Sequence, residues 1–224
     1  MKLFHERNGI DLEFSEDRIT VLSIENPDLY CDFVSGLWNQ SNGIESGFIL
    51  SSQGSAIDIG KKAEILLSPL MVSVNSKKVL TKLYQEMGQV SGDYCFEEVA
   101  KINQGIIAYL DTISQHIPYP IEFALDVKAG DLFKLYNVCI DESGSLLERI
   151  LSYIRTLHRI CGVSVFFLMN LKQFICQRDL EGLYRTLIYE NVCILLIEGS
   201  FQGDYEYEKN YIIDKDRCII NLSD

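Results

Sequence analysis

The spacing of apolar positions changes twice along this chain, and the changes divide it into three stretches. In the first, Ile10–Phe14 and Ile19–Glu25 read as short strands of a hairpin, turned by Ser15–Arg18 (SEDR). Asn26-Pro27-Asp28 then opens a helix, with Asn26 suited to the N-cap and Pro27 to the first helical position. Leu29, Phe33, Leu37 and Trp38 share one face of it, and the polar run Asn39–Gly43 ends it. Phe48–Ser51 and Ala63–Leu67 read as two further strands, separated by a Gly/Ser-rich loop.

From Asn75 the spacing becomes helical. Val79, Leu80, Leu83 and Met87 mark one helix; Phe96, Val99, Ile102, Ile106, Tyr109, Leu110 and Ile113 mark a longer one. His116–Pro120 interrupts the pattern. Ile121–Val127 and Val138–Asp141 are expected as strands, with a short helix at Asp131–Tyr136 between them. Ser145–Cys161 is strongly amphipathic, its stripe being Leu146, Ile150, Ile154, Leu157 and Cys161. In the last third, Val163–Met169 and Val192–Glu198 read as apolar strands, as parallel strands buried on both faces do. Arg178–Glu190 is a helix between them, and Tyr211–Asp214 and Cys218–Leu222 are closing strands.

The order α/β, helical, α/β predicts a head made of residues 1–70 and 161–224, interrupted by a mainly helical leg at residues 71–160. The charge pattern agrees with this division. The whole chain of 224 residues carries −12. The leg holds nine basic and eleven acidic groups, a net of −2, which leaves −10 on the head. This balance argues against a protein coated in nucleic acid but leaves room for a basic surface on an acidic body. Hydrophobic residues at 47% exclude wholesale disorder. No apolar run approaches the roughly 18 residues of a membrane span, and the N-terminal residues lack an apolar signal core, so a cytoplasmic location without membrane contact is expected. The seven cysteines have no metal or redox spacing and read as free thiols in a reducing compartment.

Four constellations carry possible chemistry. Gly54–Lys62 looks like a phosphate loop, but five residues separate its glycines and Lys62 stands where the magnesium-binding hydroxyl belongs. Asn26-Pro27-Asp28, after the first apolar strand, has no glycine and places an acid where a phosphate would sit; Asn170 ends the strand that would supply a Walker B aspartate. His5, His116 and His158 have no nucleophile at a recognisable spacing, and His158 is expected on a solvated helix face. Glu122, Asp126, Asp131, Asp141 and Glu142 surround a break between helices, where they are either ligands for a hard cation such as calcium or solvated acids. Lys77, Lys78, Lys82, Lys128, Lys134, Arg149, Arg155 and Arg159 are either phosphate contacts or a solvated face. Lys77 and Lys78 lie at a helix start, where the dipole disfavours cations, which hints at an anionic partner.

Several runs together resemble a known family. VCILLIEGSFQGDYEYEKNYIIDKDRCIINLSD (Val192–Asp224), ILLSPLMVSVNSKKVLTKLYQEM (Ile65–Met87), RITVLSIENPDLYCDFV (Arg18–Val34) and VSVFFLMN (Val163–Asn170) are similar, in order and element type, to the type II-A CRISPR-associated Csn-two proteins. The resemblance implies a P-loop-NTPase-like head that lacks a Walker A motif, with an inserted helical leg. It implies a non-catalytic homotetrameric ring that binds ends of double-stranded DNA and acts in spacer acquisition beside the integrase complex and the effector nuclease. It further implies calcium held by Glu122, Asp126 and Asp131, and DNA phosphates met by Lys128 and Lys134; the helix-start pair Lys77 and Lys78 and the i,i+4 pair Arg155 and Arg159 are expected to join them as phosphate contacts. Ala124 and Val127 stand where some members have acids. The competing expectation is a nucleotide-binding enzyme on a degenerate P-loop fold; a third is an interaction scaffold without DNA contact.

Overall fold

The computed structural model describes residues 1–14 and 16–222. Ser15, from the expected SEDR turn, and Ser223 and Asp224, from the C-terminal run, lie outside the described residues. In chain order the elements are β1 (Lys2–His5), β2 (Ile10–Glu13), β3 (Ile19–Ile24), α1 (Pro27–Ser41), β4 (Phe48–Ser52), β5 (Ser55–Ile57), the single turn α2 (Ile59–Lys62), β6 (Ala63–Leu66), α3 (Lys77–Tyr94), α4 (Phe96–Ser114), α5 (Ala129–Leu135), α6 (Leu146–Cys161), β7 (Val165–Met169), α7 (Gln177–Tyr189), β8 (Cys193–Glu198), β9 (Glu208–Ile213) and β10 (Ile219–Asn221). The architecture is mixed α/β with two sheets.

The larger sheet has the order β10-β9-β3-β8-β7-β6. Its five strands from β9 to β6 are parallel, and β10 runs antiparallel at one edge. β3, β7 and β8 are buried at every position, as continuous apolar runs require. Leu22, Ile24, Phe167, Leu195 and Ile197 join one core with Leu29, Phe33 and Leu37 of α1 and with Leu3, Leu12 and Leu50 of the smaller sheet. Their alternate neighbours Val21, Phe166, Leu168, Ile194 and Leu196 point to the opposite face and are equally buried. α6 and α7 touch each other and bury Ile150, Ile154 and Leu157, and Leu180, Leu183 and Leu187, respectively.

The smaller sheet, β2-β1-β4-β5, is antiparallel. It corrects the expected first hairpin: β2 pairs with β1, and β3 joins the other sheet. IDLE alternates buried and exposed, which suits a sheet with one wet face, whereas ITVLSI is buried throughout and needs neighbours on both sides. The Gly/Ser-rich stretch is a second hairpin instead of a loop. Gln53 and Gly54 both take positive φ, +49° and +79°, in its two-residue turn, so the first glycine of the apparent phosphate loop serves strand reversal.

The chain divides into two compact units, Met1–Val74 with Glu142–Asp224, and Asn75–Asp141. The expected boundaries at 71 and 160 differ from these chiefly by α6, which groups with the first unit. Its apolar stripe is buried there, Tyr153 Oη donates to Glu64 at 2.7 Å and Arg149 Nη2 to the Val72 carbonyl at 2.8 Å. In the second unit the expected strands Ile121–Val127 and Val138–Asp141 are irregular chain. Side chains replace the ladder: Asn75 donates to the Ile140 carbonyl and accepts from its N–H, both at 2.9 Å, and Tyr84 Oη donates to the Val138 carbonyl at 2.8 Å.

The two units should respond differently to truncation. Ile154→Ala in α6, fully buried, is expected to lower unfolding free energy by about 2–5 kcal/mol in urea melts. Ile106→Ala, on α4 where no side chain is buried, should lower it by less than about 1 kcal/mol. Equal losses would contradict the division.

Candidate nucleic-acid interface

α3 organises the second unit. Ser76 caps it, its Oγ accepting from the Val79 N–H at 3.4 Å, and this places Lys77 and Lys78 in the first turn. α5 lies against α3, with the Phe133 ring 6.1 Å from that of Tyr84. Between the two helices runs a groove of 670 Å³, lined by Lys77, Leu80, Thr81, Tyr84, Gly130 and Lys134 among others. Lys128 is exposed just before α5, its carbonyl accepting from the Asp131 N–H at 2.9 Å, and Lys134 lies in the last turn. Four of the six expected DNA-contacting cations thus belong to this unit, two of them on one groove. The pattern of charges could be read in the sequence; the groove could not, because its lining comes from stretches about fifty residues apart.

The other two cations belong to the first unit. Arg155 makes a forked pair with Glu190, Nε donating to Oε1 at 2.7 Å and to Oε2 at 3.1 Å, with Nη2 also on Oε1. The guanidinium holds the Glu190 carboxyl below its usual range, and Arg159 and His158 add to the effect. Arg155 therefore ties α6 to the end of α7 and is engaged within the protein, while Arg159 is exposed. His158 is half-buried, with Nδ1 2.8 Å from the Val163 carbonyl, so it is not the solvated side chain expected.

The expected calcium ligands do not form a site in this arrangement. Glu122, Asp126 and Asp131 are all exposed; Asp126 accepts from Asn103 Nδ2 at 3.0 Å, and Asp131 pairs with Lys134 at 3.0 Å. Among the described residues no group of three or more His, Cys, Asp or Glu is placed to hold a metal ion. Calcium takes six to eight oxygens. Glu142 instead accepts from Ser73 Oγ at 2.7 Å and from the Val74 N–H at 2.5 Å, within the first unit.

A nucleotide would be expected at the carboxyl ends of the parallel strands, its phosphate on the helix after β3. That helix end is closed. Asn26 Oδ1 accepts from the Leu29 N–H at 3.0 Å, Pro27 has no N–H to offer, and Asp28 adds a negative charge in the first turn. Lys61 pairs with Asp58 at 3.0 Å and Lys62 donates to the Gly162 carbonyl at 3.2 Å, so neither lysine of the apparent phosphate loop serves a loop of that kind.

The family model for CRISPR-associated protein (Cas_Csn2) matches residues 40–217. This chain belongs to that family. A nucleotide-free ATP-binding cassette from an ABC transporter is similar at 11% identity with a TM-score of 0.45, over 92% of this chain and 81% of that one. No curated protein matches.

This Cas_Csn2 chain also contains a buried polar cluster that sequence reasoning missed. Lys172 Nζ meets Glu208 Oε2 at 2.8 Å with both side chains removed from solvent. Tyr184 Oη donates to Glu208 Oε1 at 2.9 Å, and the Tyr205 N–H donates to Oε2 at 3.2 Å. Lys172 Nζ also donates to the Gly203 carbonyl at 3.3 Å and lies 4.1 Å from the centre of the Tyr205 ring. Glu198, at the end of β8, accepts from the Lys172 N–H through Oε1 at 3.1 Å, and its Oε2 has no partner among the described residues. Burial pushes its carboxyl up to about 7, against the opposing pull of Lys172. The signal in the sequence was a charged residue ending an apolar run, Glu198 after Val192–Ile197.

Because Glu198 is more basic folded than unfolded, the folded state binds more protons between pH 4.5 and about 7. Stability is fully present below pH 4.5 and falls as pH rises through 7, by about 3 kcal/mol for a shift of this size. Urea midpoints should therefore drop from pH 5.5 to pH 8, and Glu198→Gln should remove that share of the slope. An unchanged slope in the variant would assign the pH dependence elsewhere.

Proposed function

We propose that this chain of the CRISPR-associated Cas_Csn2 family is a non-catalytic protein that holds ends of double-stranded DNA during spacer acquisition. In this reading it works as a homotetrameric ring in the cytoplasm, beside the integrase complex and the effector nuclease. The observation that carries the reading is the gathering of Lys77, Lys78, Lys128 and Lys134 on α3 and around α5, in a chain whose net charge is −12. Phosphates need cations on one surface only, and an acidic remainder keeps DNA from the rest of the protein. Backbone contacts of this kind hold a duplex without reading its sequence.

Two further observations support parts of the reading. β3 lies between β9 and β8 in a parallel sheet and leads into α1, which is the strand-then-helix arrangement of a P-loop-like head. The capped and acidic start of α1 removes the phosphate site, which favours a non-catalytic role over the nucleotide-binding enzyme. α4 carries Val99, Ile102, Ile106, Tyr109 and Ile113, yet none of its side chains is buried within one copy, which fits assembly with further copies.

DNA affinity should fall steeply with salt through counterion release. Lys128→Glu with Lys134→Glu should weaken every duplex sequence alike, by ~tenfold or more, and flatten the salt dependence, since the change is repeated in each protomer. A linearised plasmid should bind much more tightly than its closed circle, which has no end to thread. Equal binding of circle and linear forms, measured by gel shift, would refute the ring.

Calcium belongs to this reading as an ion that gathers Glu122, Asp126 and Asp131 on binding, breaking the Asn103–Asp126 and Lys134–Asp131 contacts. Ligand binding to the folded state raises apparent stability by mass action. A rise in melting temperature with calcium that Asp126→Ala removes is the expected result; no response to calcium or chelator would retire the ion.

A further inference from the structure

We propose that the groove between α3 and α5 takes a single nucleotide, its base against Leu80 and Tyr84 and its phosphate between Lys77 and Lys134. The inference rests on the DNA-end reading above and deepens it: the nucleotide is the unpaired one at an overhanging or frayed end. A free mononucleotide has the same chemistry, and the test separates the two sources.

The groove lies wholly within the second unit, and its volume of 670 Å³ falls within the roughly 300–1,000 Å³ of small-molecule sites. Its floor suits a base. Leu80 offers an aliphatic surface, and the Tyr84 ring is fixed at two points, by its hydroxyl on the Val138 carbonyl at 2.8 Å and by the Phe133 ring at 6.1 Å. A ring held in place before the ligand arrives loses little freedom on binding. Stacking on it accepts any base, because every base has a π-face. The wall from α5 is kept low by Gly130, where an added Cβ would meet nothing within 4 Å.

The rim suits a phosphate. Lys77 is exposed in the first turn of α3, so its charge adds to the positive end of that helix. Lys134 is exposed as well; its ammonium contacts Asp131 at 3.0 Å, and it has three N–H groups to distribute. These lysines give the apolar slot a charge complementary to an anion with a flat apolar body, which is what a nucleotide is.

Fluorescence anisotropy of a short labelled duplex tests the assignment. Three ends are compared: blunt, a one-nucleotide overhang, and the same overhang with an abasic residue. The base-bearing overhang should bind about tenfold tighter than the abasic one. Gly130→Phe, which fills the groove from an open position, should bring the base-bearing overhang to the abasic level. Gly130→Ala should retain the difference, and the wild-type comparison stands by itself should the phenylalanine variant not fold. Blunt duplex that binds while base and abasic ends bind equally would overturn the nucleotide groove and leave the DNA-end reading intact. Deoxyadenosine monophosphate binding that Gly130→Phe abolishes, without binding of any duplex, would keep the site, assign it to a free nucleotide and refute the DNA-end reading. No binding of mononucleotide or duplex would overturn both.

Discussion

A parallel sheet has to be kept dry on both faces, and most of this chain is arranged to meet that requirement. The run from β9 through β3, β8 and β7 to β6 exposes almost none of its side chains. Parallel neighbours cannot be joined by tight turns, so each connection must cross over and is available to cover the sheet. α1 and the smaller antiparallel sheet contribute to one core face, where Leu22, Phe167 and Leu195 meet Phe33 and Leu50. The long connection from β6 to β7 contains both the second unit and α6, and only α6 returns its apolar stripe to the first unit.

Polar groups inside such a core need partners, and the cluster around Glu208 shows how far this chain goes to supply them. Four donors, the Lys172 ammonium, the Tyr184 hydroxyl, the Tyr205 N–H and the Asn210 side-chain amide, converge on one carboxylate. A buried pair of this kind contributes little net stability but is costly to break, since removing one partner strands a buried charge. Glu198 is less well served, with one oxygen unpartnered, and its raised affinity for a proton is the physical consequence.

The second unit follows a different rule. Its longest helix has no fully buried side chain, its connecting segments are irregular, and side chains such as Asn75 and Tyr84 take over hydrogen bonds that strands would have made. Apolar surface left uncovered and cations left at a helix start are both unfavourable in an isolated protomer. Both become favourable when another macromolecule supplies the missing contacts, which is why the functional reading centres on this unit.

Much of the architecture was determined by the sequence alone. The buried strands β7 and β8 were legible because an apolar run of strand length has few other solutions, and α1 because Asn26 and Pro27 are start signals with a local mechanism; β3 was legible as a strand but not as a buried one. The Asn26 cap at the start of α1 was legible in the same three residues, 26 to 28. Pairing was decided only in three dimensions: β2 and β3 are adjacent in sequence and lie in different sheets, since strand partners are chosen by which faces must be covered. The commitment of Arg155 to Glu190, the dispersal of Glu122, Asp126 and Asp131, and the groove uniting Lys77 with Lys134 were likewise tertiary outcomes. Charge type is a local property of the chain, but which charges neutralise one another depends on distances that only packing sets.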